Sequence, residues 1–186
     1  MKAKLKAQLK DSIEYFLKFS DYEVLFPEII IADKTDKKLR GMSLQFAINE
    51  CFKLEDPTII ANEISFDRKD YEPVLCHELG HLISLSRNLR RPSYFFLKLL
   101  RDETFADREG FILYVRAGRN KWGYAVLFTL NFQDLLFEIK WERDAKNLYK
   151  RIKLLTINAV RLLVFIGDAI PKKGIGTKHA NEVPLR

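Results

Sequence analysis

His77 and His81 lie four residues apart, with Glu78 beside the first, in the stretch Cys76-His77-Glu78-Leu79-Gly80-His81. On a helix, residues four apart sit one above the other on the same face, so both imidazoles can reach a single ion. Glu78 projects roughly 100° around the helix from His77. From there it can touch a water held by that ion without being a ligand itself. Zinc lowers the pKa of such a water to about 7, and a neighbouring carboxylate can then take its proton. H-E-x-x-H is the metallopeptidase arrangement of two ligands plus a general base. The chain has only three histidines, and two of them are here.

A catalytic zinc needs a third protein ligand and one open position. The helical pattern over 93–117 carries Asp102, Glu103 and Asp107. Glu103 and Asp107 are four apart and share a face. Glu103 is the expected third ligand, with Asp102 and Asp107 as rivals. Asp107 is also placed to accept a hydrogen bond from the second nitrogen of a ligand histidine, which would fix its tautomer. Without the histidine pair, the same residues would read as a solvated acidic helix face.

These side chains need two helices to position them. The first is expected over about 71–86, with Pro73 in its first turn, where a missing N–H costs nothing. Leu75, Leu79, Leu82 and Ile83 fall on one side and should face the core. His77, Glu78 and His81 fall opposite, toward a cleft. Gly80 costs roughly 1 kcal/mol in a helix interior. Close approach by the second helix at its small residue Ala106 would compensate.

Around this pair the sequence suggests three strands. Glu23–Ala32 is interrupted by Pro27, Met42–Phe52 alternates, and Thr58–Phe66 is the most strand-like. Lys2–Phe19 reads as an amphipathic helix, with Leu5, Leu9, Ile13, Phe16 and Leu17 as its apolar stripe. The expectation is that it packs on the domain; a basic amphipathic helix can also lie on anionic lipid. Arg87–Pro92 is a basic connection and Gly118–Gly123 a turn. Tyr124–Ile170 reads as two or three further helices with a break near 140–147.

Composition bounds the alternatives. With 186 residues, 47% of them hydrophobic, the chain is long enough for one real core. It has no run of 18 apolar residues, so no membrane span is expected. Met1–Ser20 lacks the apolar stretch of a secretory signal. Cys51 and Cys76 make no disulfide framework and are expected as reduced thiols in a cytoplasm. The net charge of +7 resides at the ends: Lys2, Lys4, Lys6 and Lys10 at one, and Lys172, Lys173, Lys178 and Arg186 against Glu182 at the other. Residues 11–171 balance, which makes nucleic acid an unlikely partner for the domain as a whole.

His77-Glu78-Leu79-Gly80-His81 followed by Glu103-Thr104-Phe105-Ala106-Asp107, then Gly110 and Ala117-Gly118, resembles the gluzincin metallopeptidases. It is most similar to the HtpX and CAAX-prenyl-protease branch and its small soluble relatives, the minigluzincins. The resemblance covers about residues 58–120. It implies zinc on His77, His81 and Glu103, Glu78 as general base, and Asp107 bonded to a ligand. It also implies an edge strand, Asn62–Phe66, with Asn62, Glu63, Ile64 and Ser65 holding an extended peptide by strand addition. The chain departs from the larger members in lacking transmembrane helices and in having only 21 residues between His81 and Glu103. That short interval is also compatible with the transcription-regulating ImmA/IrrE-type peptidases.

The expected fold is α+β and zincin-like: a small, mostly antiparallel sheet packed on the active-site helix, then a helical C-terminal half. Residues 1–171 are expected to form one metallopeptidase domain, with the N-terminal helix within 1–20 and the catalytic core over 58–120. Residues 172–186 form a basic tail, which carries His179 and could close over the cleft. The expected activity is that of a cytoplasmic zinc endopeptidase acting on a peptide or protein substrate. Tyr114, Tyr124 and Arg119 are candidate donors to the oxyanion. The competing expectation is a non-catalytic basic protein that keeps the helix pair and binds nucleic acid or a membrane surface.

Overall fold

The computed structural model describes residues 2–32, 44–47, 57–62, 71–86, 96–141 and 143–170. Their order is helix α1 (Lys2–Leu17), strands β1 (Glu28–Ala32), β2 (Leu44–Ala47) and β3 (Thr58–Asn62), then helices α2 (Tyr71–Ser86), α3 (Phe96–Arg116), α4 (Ala125–Trp141) and α5 (Ala145–Ala169). A 3-10 turn, Lys121–Tyr124, leads into α4. The architecture is α+β, with a small sheet and a helical C-terminal half.

The sheet corrects one expectation. Its order is β1-β3-β2, and its longer ladder, β1 with β3, is parallel; only β2 pairs antiparallel with β3. The sheet is therefore not mostly antiparallel. The physical reason lies in the strands themselves. Thr58, Ile59, Ile60 and Ala61 are all buried, and so are Ile29 and Ala32 of β1. Continuous apolar runs such as Ile29-Ile30-Ile31 and Ile59-Ile60-Ala61 mark strands covered on both faces, the usual condition of parallel pairing.

One continuous hydrophobic cluster joins these elements. It takes Leu9, Ile13 and Phe16 from α1, Ile29 from β1, and Ile59 and Ala61 from β3. Leu75, Leu79, Leu82 and Ile83 come from α2, Leu113 from α3, Phe128 from α4 and Phe165 from α5. The stripe of α1 is thus spent on the core, which removes the face a lipid surface would need. Tyr15 Oη donates to the Ala117 carbonyl at 3.2 Å, and Arg116 pairs with Asp21 at 2.7 Å, fastening α1 to the end of α3. No helix among the described residues is long and apolar enough to cross a membrane.

The pair α2–α3 forms the largest contact between elements. Its closeness has a local cause. A Cβ built at Gly80 would run into the backbone of Ala106, and one at Gly110 would meet the Cys76 carbonyl at 2.5 Å. Small residues facing backbone at two levels let the helices approach and set their register. Just beyond the end of α3, Gly118 adopts φ 78°. Gly118 N donates to Val115 O and Arg119 N to Tyr114 O, closing the helix in a Schellman motif.

Candidate metal centre

The register of α2 against α3 brings His77, His81 and Glu103 together. They form the one group of three or more potential ligands found among the described residues, with ligand atoms all within 4.8 Å of one another. His77 Nε2 lies 3.5 Å from Glu103 Oε2, and His81 Nε2 lies 3.7 Å from Glu103 Oε1. The two imidazole rings sit 4.7 Å apart between centroids and nearly perpendicular.

Those separations discriminate between two uses of the group. They exceed the usual 2.7–3.2 Å of an N–H···O hydrogen bond. Ligand atoms placed about 2.1 Å from a tetrahedral ion would stand roughly 3.4 Å apart. Two imidazole nitrogens, each at this spacing from a different oxygen of one carboxylate, belong to a donor set that can hold a metal ion.

His77 is fixed by its other nitrogen. Nδ1 lies 2.9 Å from Asp107 Oδ1 and donates to it, which leaves Nε2 directed at Glu103. Asp107 is in turn held by Arg161 of α5. Arg161 Nε donates to Asp107 Oδ2 at 2.6 Å and Nη2 to Oδ1 at 2.8 Å. Arg161 Nη1 pairs with Glu103 Oε2 at 3.0 Å and donates to Asn158 Oδ1 at 3.1 Å. Nη2 also comes within 3.5 Å of His77 Nδ1; both donate to Asp107 Oδ1, so this is a contact between two donors rather than a bond.

The electrostatics follow from burial and these pairings. Burial disfavours charge on every member. At Glu103 the charge of Arg161, with both histidines, overrides burial and holds the carboxyl well below its usual range. At Asp107, burial is overridden by the charge and hydrogen bonds of Arg161 and then by His77, and the carboxyl is again lowered. At His77 burial is overridden by Asp107 and then Glu103, and the imidazole is pushed up to about 10. At His81 burial wins over the pull of Glu103, and the imidazole is pushed down to about 4, so it stays neutral. A divalent ion would take the place of the proton that His77 carries without it, since a metal ligand must be deprotonated.

The expected site residues are placed as follows. Glu78 is half-buried on α2, one position from His77. His77 is buried rather than lining an open cleft, because Asp107 and Arg161 close over it. Asp102 is buried near Arg101 Nε, at 3.9 Å, and is not one of the ligand group His77, His81 and Glu103. Asp107 meets the second nitrogen of His77, not the space between the ligands. Asn62 ends β3 and pairs with Ala32 of β1. Among the described residues β3 is the central strand, flanked by β1 and β2. Glu63, Ile64, Ser65, Arg87–Pro92, Cys51 and the tail with His179 lie outside the described residues.

None of the three oxyanion candidates is presented to a substrate at the ligand group. Tyr124 is fully buried among Phe111, Phe128 and Phe165. The Tyr114 hydroxyl faces Gly123. Arg119 pairs with Glu72 in the first turn of α2. Cys76 is buried in the core, and burial pushes its thiol up, which makes it unreactive.

Sequence reasoning passed over Arg161 and Asn158. The signal was present. Ile157, Arg161, Phe165 and Ala169 recur every four residues and are all buried. Arg161 is thus a guanidinium at a core position of an apolar stripe, and a buried charge requires partners.

The chain matches no protein-family model, no curated protein and no solved structure.

Proposed function

We propose that this chain is a zinc-dependent endopeptidase of gluzincin type, with His77, His81 and Glu103 as ligands and Glu78 as general base. The observation that carries the proposal is the spacing of His77 Nε2, His81 Nε2 and the Glu103 carboxylate, at 3.5 and 3.7 Å, next to a carboxylate one residue along the same helix. The donor set suits zinc, which favours imidazole nitrogen and carboxylate oxygen in catalytic sites. When bound, zinc supplies a Lewis acid that acidifies water and polarises a carbonyl.

The protein's own groups do the rest. Asp107 holds His77 in the tautomer that leaves Nε2 free. Glu78 takes the proton of the attacking water on its carboxylate and returns it to the departing amine. Arg161 keeps Glu103 and Asp107 ionised side by side. A peptide is the substrate class, since a carboxylate base beside a metal-bound water suits hydrolysis of an amide bond.

The test is hydrolysis of an unfolded protein by zinc-loaded full-length chain, with products mapped by mass spectrometry. New internal cleavages that disappear with chelator and return with zinc support the proposal. Stoichiometric zinc with no cleavage of any peptide library member defeats it.

A further inference from the structure

Arg161 is buried, and its donors on Nε, Nη1 and Nη2 are all directed at polar neighbours. Asp107 takes Nε and Nη2 on its two oxygens, and Nη1 serves Asn158 and Glu103 Oε2. A guanidinium is planar and its donors are fixed relative to one another. Once Asp107 has gripped one edge of the fork, the direction of Nη1 follows. That direction ends on Glu103 Oε2. Each oxygen also faces one imidazole, Oε2 at 3.5 Å from His77 Nε2 and Oε1 at 3.7 Å from His81 Nε2, so the contact with Arg161 is what distinguishes them.

The two oxygens of one carboxylate therefore stand in unequal surroundings. We propose that Arg161 is a positioning residue that sets the coordination mode of Glu103, holding Oε2 and reserving Oε1 as the single ligating oxygen. The proposal rests on the metal-site function given above. A carboxylate that ligates through both oxygens fills two positions; one that ligates through a single oxygen leaves room for water and a substrate carbonyl. Charge explains a cation here, since Arg161 keeps Glu103 and Asp107 ionised, but it does not explain a fork. Geometry does: without the fork, Glu103 could swing both oxygens toward the ion. The arrangement also makes α5, more than 50 residues further along the chain, part of the metal centre.

The experiment uses cobalt(II) in the full-length chain, whose visible absorption weakens as coordination number rises. Wild type should give the intense band of a four-coordinate ion. Arg161→Met should bind cobalt with a band weakened by roughly two-fold or more. Arg161→Lys keeps the charge but lacks the fork, and should give the weakened band too. A wild-type band in either variant overturns the proposal. So does a weak five- or six-coordinate band in wild type, which decides the matter even if neither variant folds. A wild type that takes up no cobalt and no zinc overturns the metal-site function itself, and the role of Arg161 with it.

Discussion

Gly80 of α2 and Ala106 of α3 meet backbone to backbone, with the Ala106 carbonyl in the volume that a side chain at position 80 would occupy. Three residues before Ala106 on the same helix is Glu103, and either side of Gly80 on α2 are His77 and His81. The contact therefore sets the distance across which the three ligand side chains meet. Gly80→Ala forces backbone rather than a side chain to move. Overpacking of this kind costs about 2–3 kcal/mol, against roughly 1 kcal/mol regained in helix propensity. The variant should lose net stability in denaturant titration and bind zinc more weakly by at least about 10-fold. Wild-type zinc affinity would show that the helix spacing does not set the site.

Gly118 supplies the contrast. It needs its positive φ of 78°, and nothing stands where its Cβ would be. Gly118→Ala strains the cap by about 1–2 kcal/mol. It lies at the opposite end of α3 from Glu103, so zinc affinity should not change. Comparing the two glycine variants separates loss of fold stability from loss of site geometry. Equal effects on zinc binding would contradict this division.

Much of the site was legible in the sequence because helical spacing alone puts His77 over His81 and Glu103 over Asp107. The bounds of α2 followed from its apolar period, and the Gly80–Ala106 approach followed from residue size. Strand direction did not follow: the apolar runs of β1 and β3 speak of burial on both faces, but nothing within a run says which way it faces its partner. Arg161 was overlooked for a related reason. Its partners Glu103 and Asp107 are distant in sequence, and spacing along one helix carries no information about a third.

Removing the carboxylate of Glu103 tests the ligand set directly. Glu103→Ala leaves two imidazoles and takes one partner from Arg161. Zinc stoichiometry should fall from about one per chain to near zero. In wild type, zinc at about 100 times its dissociation constant should stabilise the fold by about 2.7 kcal/mol. The variant should show no such gain in thermal unfolding. A stabilisation that survives the substitution would place the metal elsewhere.

Asp107→Asn keeps an oxygen for His77 Nδ1 but removes the charge facing Arg161. Leaving a buried guanidinium half-compensated should cost about 2–4 kcal/mol. Losing the carboxylate that orients a ligand imidazole should weaken zinc binding roughly 10- to 100-fold. Competition with a chromophoric chelator measures the second effect and denaturant titration the first. Unchanged affinity in a destabilised protein would make Asp107 a purely structural partner of Arg161.

Glu78→Gln separates binding from chemistry. Glu78 is outside the ligand group, so the amide should keep zinc at wild-type affinity. The amide cannot accept the proton of the attacking water at neutral pH. Loss of a general base lowers rates by about 10²–10⁴-fold, and the decrease should appear in kcat with KM little changed. Steady-state kinetics on one cleaved peptide, alongside metal analysis of the same preparation, gives both quantities. A zinc-loaded Glu78→Gln variant with wild-type kcat would remove Glu78 from the reaction and leave the histidines and Glu103 as a binding site without a base.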